Sequence, residues 1–168
     1  MSDTIGSTTP KGSMTAFGVG PKWVALSVLF SVPAIAARMR WPEFFAIPIV
    51  PRPVVIVLGC LLLAVGLPLC VAGVVALKRG FPKGALFTGG VYGLCRHPIY
   101  GSWVVFNVPG MVLLANSWIG LLVPVPMYIA LRLLVRDEEA WLEQTFGETY
   151  RAYRDRVPAV MPTGWWNR

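Results

Sequence analysis

Residues 88–100, TGGVYGLCRHPIY, separate two long apolar runs and decide how the rest of the chain is organised. The stretch is rich in glycine and carries the only histidine of the 168 residues, His97, directly after Arg96. An ionisable side chain at the start of a membrane span is costly unless it is used or satisfied. His97 is therefore either a functional group or a satisfied interfacial histidine, and the residues alone leave both interpretations open. A second polar cluster, RDEE at residues 136–139, follows the last apolar run.

The composition is that of an integral membrane protein. Hydrophobic residues make up 55% of the chain and charged residues only 14%, and the mean hydropathy is +0.62. The net charge of +7 does not indicate nucleic acid, because Lys and Arg lie mainly at the ends of apolar runs, where they match the positive-inside rule and anionic lipid headgroups. With one histidine and no CxxC pair, we expect no metal site.

Four apolar runs predict an all-α, polytopic membrane helical bundle of about four spans, at residues 23–37, 54–77, 99–115 and 118–135. Residues 1–22 are predicted to form a mobile tail. Four prolines exclude a regular helix through most of residues 41–53, which we interpret as an interfacial or partly re-entrant loop. Gly59, Gly66 and Gly73 recur every seven residues, which either forms a smooth stripe for a neighbouring helix or only reflects how common glycine is in such spans.

The last two apolar runs are joined only by Asn116 and Ser117, which predicts a helical hairpin. A hairpin returns the chain to its starting face, so the loop before residue 98 and the 136–139 cluster should lie on the same side. Both are flanked by basic residues, which indicates the cytoplasm. With four spans, Arg38, Arg40 and Arg52 would lie on the outer face, which does not fit the positive-inside rule.

After residue 136 the composition becomes that of a soluble amphipathic helix. Apolar residues at three- and four-residue steps form one stripe, opposite a charged face that includes Glu143, Arg151 and Arg154. Gly147 is a candidate interruption, and Pro158 is expected to follow the end of the helix. We expect the stripe to lie on the membrane face or over the loop before Arg96.

Two spaced motifs resemble those of the isoprenylcysteine carboxyl methyltransferase and phospholipid methyltransferase superfamily. The first is G-V-Y-x-x-x-R-H-P-x-Y at residues 90–100. The second, about forty residues later, is E-E-x-x-L-x-x-x-F-G-x-x-Y-x-x-Y-x-x-x-V-P at residues 138–158. The resemblance covers roughly residues 83–162. The two motifs occur in the family's order around a hairpin, and together they are more specific than either motif alone.

This resemblance implies a single membrane methyltransferase domain over residues 23–168, with S-adenosyl-L-methionine bound by about residues 83–162. Membership of the superfamily would make the chain a multi-pass protein of a bacterial inner membrane or another cytoplasmic membrane, with a cytoplasmic active site. In the family pattern Glu138 accepts hydrogen bonds from the cofactor. The implied cofactor-binding residues are Gly84, Ala85, Leu86, Phe87, Tyr92, Arg96, His97, Pro98, Ile99, Tyr100, Glu138 and Glu139.

The methyl acceptor is expected to be lipophilic, either a lipidated carboxylate or a phospholipid amine, because a site between spans favours apolar bodies. Prenylcysteine enzymes place a substrate-binding arginine shortly before the glutamate. Here Leu134 stands near that position with Arg132 and Arg136 on either side, so these two arginines are the candidate catalytic residues. Two alternatives remain: an NADPH-dependent membrane reductase of the sterol-reductase type, and a non-catalytic membrane protein. The reductase motif is matched only in part, since its cysteine and lysine are missing from the second stretch.

Overall fold

Four helices make up most of the computed structural model, which describes residues 18–80 and 86–160. We number them α1 (Gly20–Arg40), α2 (Arg52–Gly80), α3 (Pro98–Leu114) and α4 (Pro124–Arg156). The predicted cofactor residues Gly84 and Ala85 lie outside the described residues, as does the predicted tail up to residue 17.

Three of these helices are long and apolar enough to cross a membrane within the described residues: α1, α2, and α4 with the helical turn that precedes it. The α3 helix is apolar but shorter, about 26 Å at 1.5 Å per residue against a hydrocarbon core of about 30 Å. Before its bend at Gly147, α4 runs about 35 Å from Pro124 to Phe146, and with the preceding turn it exceeds the hydrocarbon core, so its charged part from Asp137 onward extends beyond the apolar layer. The predicted all-α membrane bundle is confirmed.

The glycine stripe on α2 is the surface against which α3 packs. A Cβ added at Gly59 would lie 3.0 Å from the Gly110 carbonyl oxygen, and one added at Gly73 would lie 2.8 Å from Ile99 Cγ1. At Gly66 the added carbon would overlap the Asn107 side chain. The three glycines therefore form a smooth stripe that allows close helix contact, which is the first of the two interpretations of their spacing.

The α3 helix contains one wide turn in its middle. Residues Trp103–Asn107 form a π-helical turn between the α-helical segments Pro98–Ser102 and Val108–Leu114. Pro109 lies in the first turn of the second segment, and because proline has no N–H it cannot continue the preceding ladder of hydrogen bonds.

A tight turn joins α3 to α4, as the hairpin prediction requires. Asn116 adopts a left-handed conformation with a φ of 54°, which asparagine tolerates better than most residues. Its N–H donates to the Leu113 carbonyl at 2.9 Å, and the Ser117 N–H donates to Val112 at 3.2 Å. A short 3₁₀ turn, Ile119–Leu122, then leads into α4.

Two arginines of the other segments close this end of the bundle. Arg52 Nη2 donates to the Leu114 carbonyl at 2.6 Å, and Arg38 Nε donates to the carbonyl of residue 115 at 3.4 Å. Trp118 Nε1 donates to the Phe44 carbonyl at 3.0 Å and so attaches the loop between α1 and α2 to the same turn. These arginines cap carbonyl groups at the end of α3, which explains their position at the end opposite residues 96–97.

The α1 helix packs against α4 through a buried tryptophan. Trp23 Nε1 donates to the Met127 carbonyl at 3.0 Å, and its ring meets the edge of Tyr100 with centroids 5.2 Å apart. The buried apolar cluster around this contact comprises Val19, Trp23, Val104, Val123, Met127, Ala130, Leu131, Val135, Ala159 and Val160. This packing brings the start of α1, the start of α3 and the charged part of α4 to one end of the molecule.

Candidate active site

Buried Arg96 and partly buried Glu139 form an ion pair at this end. Arg96 Nη2 and Nε donate to the same Glu139 oxygen, Oε1, at 2.7 and 3.0 Å. Only 8% of Arg96 is exposed to solvent. Burial alone would raise the pKa of Glu139, but the hydrogen bonds from His97 and Arg96 outweigh it and hold that pKa at about 2. The carboxylate is therefore ionised at every physiological pH.

His97 completes a three-residue cluster with this pair. Its Nε2 lies 3.1 Å from Glu139 Oε1, and only 4% of the residue is exposed. An ionised carboxylate can only accept hydrogen bonds, so Nε2 must carry a proton. Pro98 occupies the first turn of α3, so this apolar helix begins immediately after the histidine.

The C-terminal part of α4 folds back onto this cluster at Gly147. This residue has φ 53° and ψ −128°, outside helical geometry, and a Cβ added there would meet no atom within 4 Å. Glu143 accepts hydrogen bonds from Arg151 Nε at 2.7 Å and from Arg154 Nη1 at 2.6 Å. In a straight helix Arg154 would lie about 16 Å further along the axis, so these contacts require the bend. The predicted interruption at Gly147 is confirmed.

Arg96 also holds residues 148–160, the part of the chain after the bend, which we call the returning segment. Its Nη1 donates to the carbonyls of Arg154 at 2.9 Å and Val157 at 2.6 Å. The backbone N–H groups of Arg96 and His97 donate to the carbonyls of residues 158 and 159 at 2.8 and 3.0 Å. Tyr153 Oη donates to the Tyr92 carbonyl at 2.6 Å. The returning segment thus lies over the loop before Arg96, one of the two places predicted for it.

Glu138 points to a different side of α4 from its neighbour. A Cβ added at Gly18 would lie 2.8 Å from Glu138 Oε2, and Gly18 has a φ of 51°. This oxygen is buried and has no hydrogen-bond partner in the part of the chain that the structure describes. Burial, followed by the charge of Glu138, raises the pKa of Tyr92 to about 12. Glu138 is therefore a buried acceptor beside the glycine-rich loop.

That loop is short and carries two aromatic rings. Gly90–Gly93 forms a 3₁₀ turn that begins with Gly90 at a φ of 57°. The rings of Phe87 and Tyr92 meet edge to face with centroids 5.9 Å apart. Both rings belong to the predicted cofactor-binding set.

A pocket opens beside Arg96 where α4 leaves the apolar layer. It has an empty volume of about 430 Å³, including the part that is open to solvent. Its lining residues are Arg96, Leu131, Arg132, Val135, Arg136, Glu139, Ala159 and Val160. Three arginines and one glutamate give this lining a net positive charge, and its other members are apolar.

The structure brings together most of the site residues predicted from the sequence, in two adjacent groups. Arg96, Glu139 and the two candidate catalytic arginines line the pocket, and His97 contacts Glu139. Glu138 lies on the other side of α4 with the loop residue Tyr92. Pro98 and Ile99 instead pack against α2 at Gly73. Whether these residues bind a ligand stays a prediction.

Sequence reasoning missed several residues of this region. Ala159 and Val160 line the pocket although they follow the last helix and carry no chemical signal. Gly18 lies against Glu138 from the start of the described chain, 120 positions away. Two further buried polar atoms on α4 lack a hydrogen-bond partner among the described residues, Trp141 Nε1 and Tyr150 Oη. The tyrosine belongs to the quoted motif, but that motif assigned it no role.

Together, the helical membrane bundle and the buried charged cluster at one of its ends define a polytopic membrane protein with a candidate ligand site at the edge of the apolar layer. The family model of phospholipid methyltransferases matches residues 54–149, which is more than half of the chain. The chain therefore belongs to the phospholipid methyltransferase family, as its motifs predicted. No solved structure matches it.

Curated relatives carry the name protein-S-isoprenylcysteine O-methyltransferase. The chain is similar to the Mus musculus protein, with 36% identity over 77 residues, 46% of this chain and 27% of the relative. It is 33% identical over 89 residues to the Schizosaccharomyces pombe protein, covering 53% of this chain and 37% of the relative. It is 39% identical over 79 residues to protein-S-isoprenylcysteine O-methyltransferase B of Arabidopsis thaliana, covering 46% of this chain and 39% of the relative. The match therefore spans well under half of the length of these relatives.

Proposed function

We propose that this chain is an integral membrane methyltransferase that uses S-adenosyl-L-methionine and acts on a lipophilic acceptor at the cytoplasmic membrane face. The observation that carries the proposal is the pocket beside Arg96, where arginines and apolar side chains meet at the end of a span. Family membership supports methyl transfer, and the names of the relatives support a lipidated acceptor.

The buried polar atoms near the cluster fit such a cofactor. Glu138 Oε2 is an acceptor without a partner, and Trp141 Nε1 and Tyr150 Oη are donors without one among the described residues. A cofactor with an amino group, hydroxyls and a carboxylate can satisfy both kinds of atom. When bound, it would supply an electrophilic methyl group on a sulfonium. The residues proposed to hold it are Glu138, Tyr92 and the loop that carries Phe87.

The charge of the pocket favours an anionic acceptor. Neither Arg132 nor Arg136 forms an ion pair or side-chain hydrogen bond with any residue in the described ranges, so both are free to hold an anion. Glu139 is a poor general base because its pKa is about 2. A carboxylate acceptor needs no base, whereas an ammonium or a thiol must first lose a proton. We therefore propose a lipophilic carboxylate as the acceptor, positioned by Arg132 and Arg136.

In this mechanism the protein works mainly by positioning and by excluding water. In-line displacement at carbon requires the two reactants to be held at close range and correctly aligned. The returning segment, held by Arg96, covers the loop, and the walls formed by Leu131, Val135 and Val160 accommodate an apolar body. His97 donates to Glu139 and fixes its carboxylate, so we assign it a positioning role.

Titration of the purified chain in detergent micelles with S-adenosylhomocysteine tests the cofactor. We expect saturable binding that Glu138→Ala weakens tenfold or more, about 1.4 kcal/mol. Arg151→Ala, which changes an exposed pair, should bind as the wild type does. Thermal unfolding of each variant separates a lost contact from a lost fold. Absence of binding by a well-folded wild type would refute the proposal.

A second assay tests the acceptor. Radiolabelled methyl transfer would be compared between a prenylated cysteine carboxylate and phosphatidylethanolamine. Arg132→Ala and Arg136→Ala should raise the KM for the carboxylate without changing the affinity for S-adenosylhomocysteine. Preference for the amine, with no effect of either arginine, would exclude the anionic acceptor.

A further inference from the structure

Tyr150 lies near the start of the returning segment, three residues after Gly147, and is completely buried. Its exposed fraction is 0%, and it is the largest of the fully buried side chains. Its hydroxyl nevertheless has no hydrogen-bond partner within residues 18–80 and 86–160. A phenol without a partner destabilises a folded protein, because water solvates the hydroxyl in the unfolded chain. If Tyr150 served only to fill space, phenylalanine would do so at a lower cost.

Tyr153, one turn further along the same segment, shows the contrast. It is also buried, and its ring lies 6.2 Å from that of Tyr150. Its hydroxyl donates to the Tyr92 carbonyl at 2.6 Å and so fastens the segment to the loop. The two tyrosines share an environment, but only Tyr153 has an identified structural use for its oxygen.

The surroundings of Tyr150 place it among the ionic groups of the candidate site. Burial, followed by the charge of Glu139, raises the pKa of Tyr150 above its ordinary value, and the charges of Arg96 and Glu138 also act on the phenol. The hydroxyl therefore keeps its proton throughout the physiological range. A protonated phenol can donate, whereas the unpartnered oxygen of Glu138 can only accept.

We propose that Tyr150 is a cofactor-binding residue whose hydroxyl donates a hydrogen bond to an oxygen of bound S-adenosylmethionine. This inference rests on the proposed function. Glu138 supplies an acceptor and Tyr150 a donor, so a cofactor with an amino group, hydroxyls and a carboxylate satisfies both. The bend at Gly147 and the hydrogen bonds from Arg96 to the carbonyls of Arg154 and Val157 hold this segment against the ionic cluster, so the proposal makes the segment part of the binding site.

The matched pair Tyr150→Phe and Tyr153→Phe tests this role, because each variant removes one oxygen and keeps the ring. Two quantities are measured in detergent micelles: the Kd for S-adenosylhomocysteine by calorimetry and the Tm of the ligand-free protein. Tyr150→Phe should raise the Kd five- to tenfold and leave the Tm unchanged or higher. Tyr153→Phe should lower the Tm, because it removes a hydrogen bond made within the chain.

Two results would overturn the inference while leaving the proposed function intact. The first is wild-type binding that Tyr150→Phe changes by less than twofold. The second is a loss of Tm in Tyr150→Phe as large as that in Tyr153→Phe, which would mark the hydroxyl as structural. If the well-folded wild type itself does not bind S-adenosylhomocysteine, the proposed function fails and this inference fails with it.

Discussion

Replacing Arg96 by lysine should separate the charge of this residue from its geometry. The guanidinium makes four hydrogen bonds, two to Glu139 and two to the carbonyls of Arg154 and Val157. Lysine keeps the positive charge but places all its donors on one nitrogen. That nitrogen can stay with the carboxylate of Glu139 or move to the carbonyls, but it cannot serve both.

At least two of the four bonds are therefore lost. Hydrogen bonds that involve a charged group contribute about 1.5–3 kcal/mol each, so the loss is about 3 kcal/mol or more. For a protein of this size each kcal/mol corresponds to roughly 2–4 °C, which gives a fall in Tm of roughly 6–12 °C.

Thermal unfolding in detergent, followed by the fluorescence of the tryptophans, measures this fall. Arg151→Lys is the matched control, because its side chain is 51% exposed and its ion pairs are at the surface. We expect that control to change the Tm by no more than about 1–2 °C, since exposed pairs contribute little. If Arg96→Lys unfolds within 2 °C of the wild type, the guanidinium does not hold the returning segment.

Three further predictions concern the backbone at Gly147, the contact of α2 with α3 at Gly66, and the ion pair of Glu139. Gly147→Ala should cost about 1–3 kcal/mol through backbone strain alone, since the added carbon meets no atom, and limited proteolysis should cut the returning segment faster. Gly66→Ala should cost about 1–3 kcal/mol by overpacking against Asn107, whereas Cys60→Ala on the exposed side of the same helix should leave the Tm nearly unchanged. Glu139 has a folded pKa of about 2 against an ordinary value of 4.5, so its stabilisation is complete above pH 4.5 and is lost as the pH falls towards 2. The free energy of unfolding should therefore fall more steeply from pH 6 to pH 3 for the wild type than for Glu139→Gln. Equal slopes for the two proteins would contradict a low pKa of Glu139.

Much of the architecture could be predicted because it follows from length and local chemistry. Asn116 and Ser117 leave no room for anything but a hairpin, and the hairpin alone brings Arg96 to the same end as residues 136–139. Gly147 was also identifiable, since glycine is the residue that most readily leaves helical geometry. The direction of the resulting bend was not, because it depends on the hydrogen bonds from Arg96 to the carbonyls of Arg154 and Val157, which are 58 and 61 residues away in the sequence.

The roles of the two adjacent glutamates were also beyond the sequence. Successive residues of a helix point about 100° apart, so Glu138 and Glu139 must face different surroundings. The pattern E-E does not tell which one meets Arg96, and the family resemblance assigned the cofactor contact to Glu138. The structure pairs Glu139 with Arg96 and His97 and leaves Glu138 beside Gly18.

The contacts of Arg96 impose an order on biosynthesis. Val157, whose carbonyl accepts from Arg96, follows it by 61 residues. At about 5–20 residues per second, the ribosome needs roughly 3–12 s to cover that distance. Because α3 and the apolar part of α4 precede Glu139, Arg154 and Val157 in the chain, they are synthesised while the guanidinium has none of its final protein partners. The candidate site is thus completed last, after the apolar helices have been synthesised.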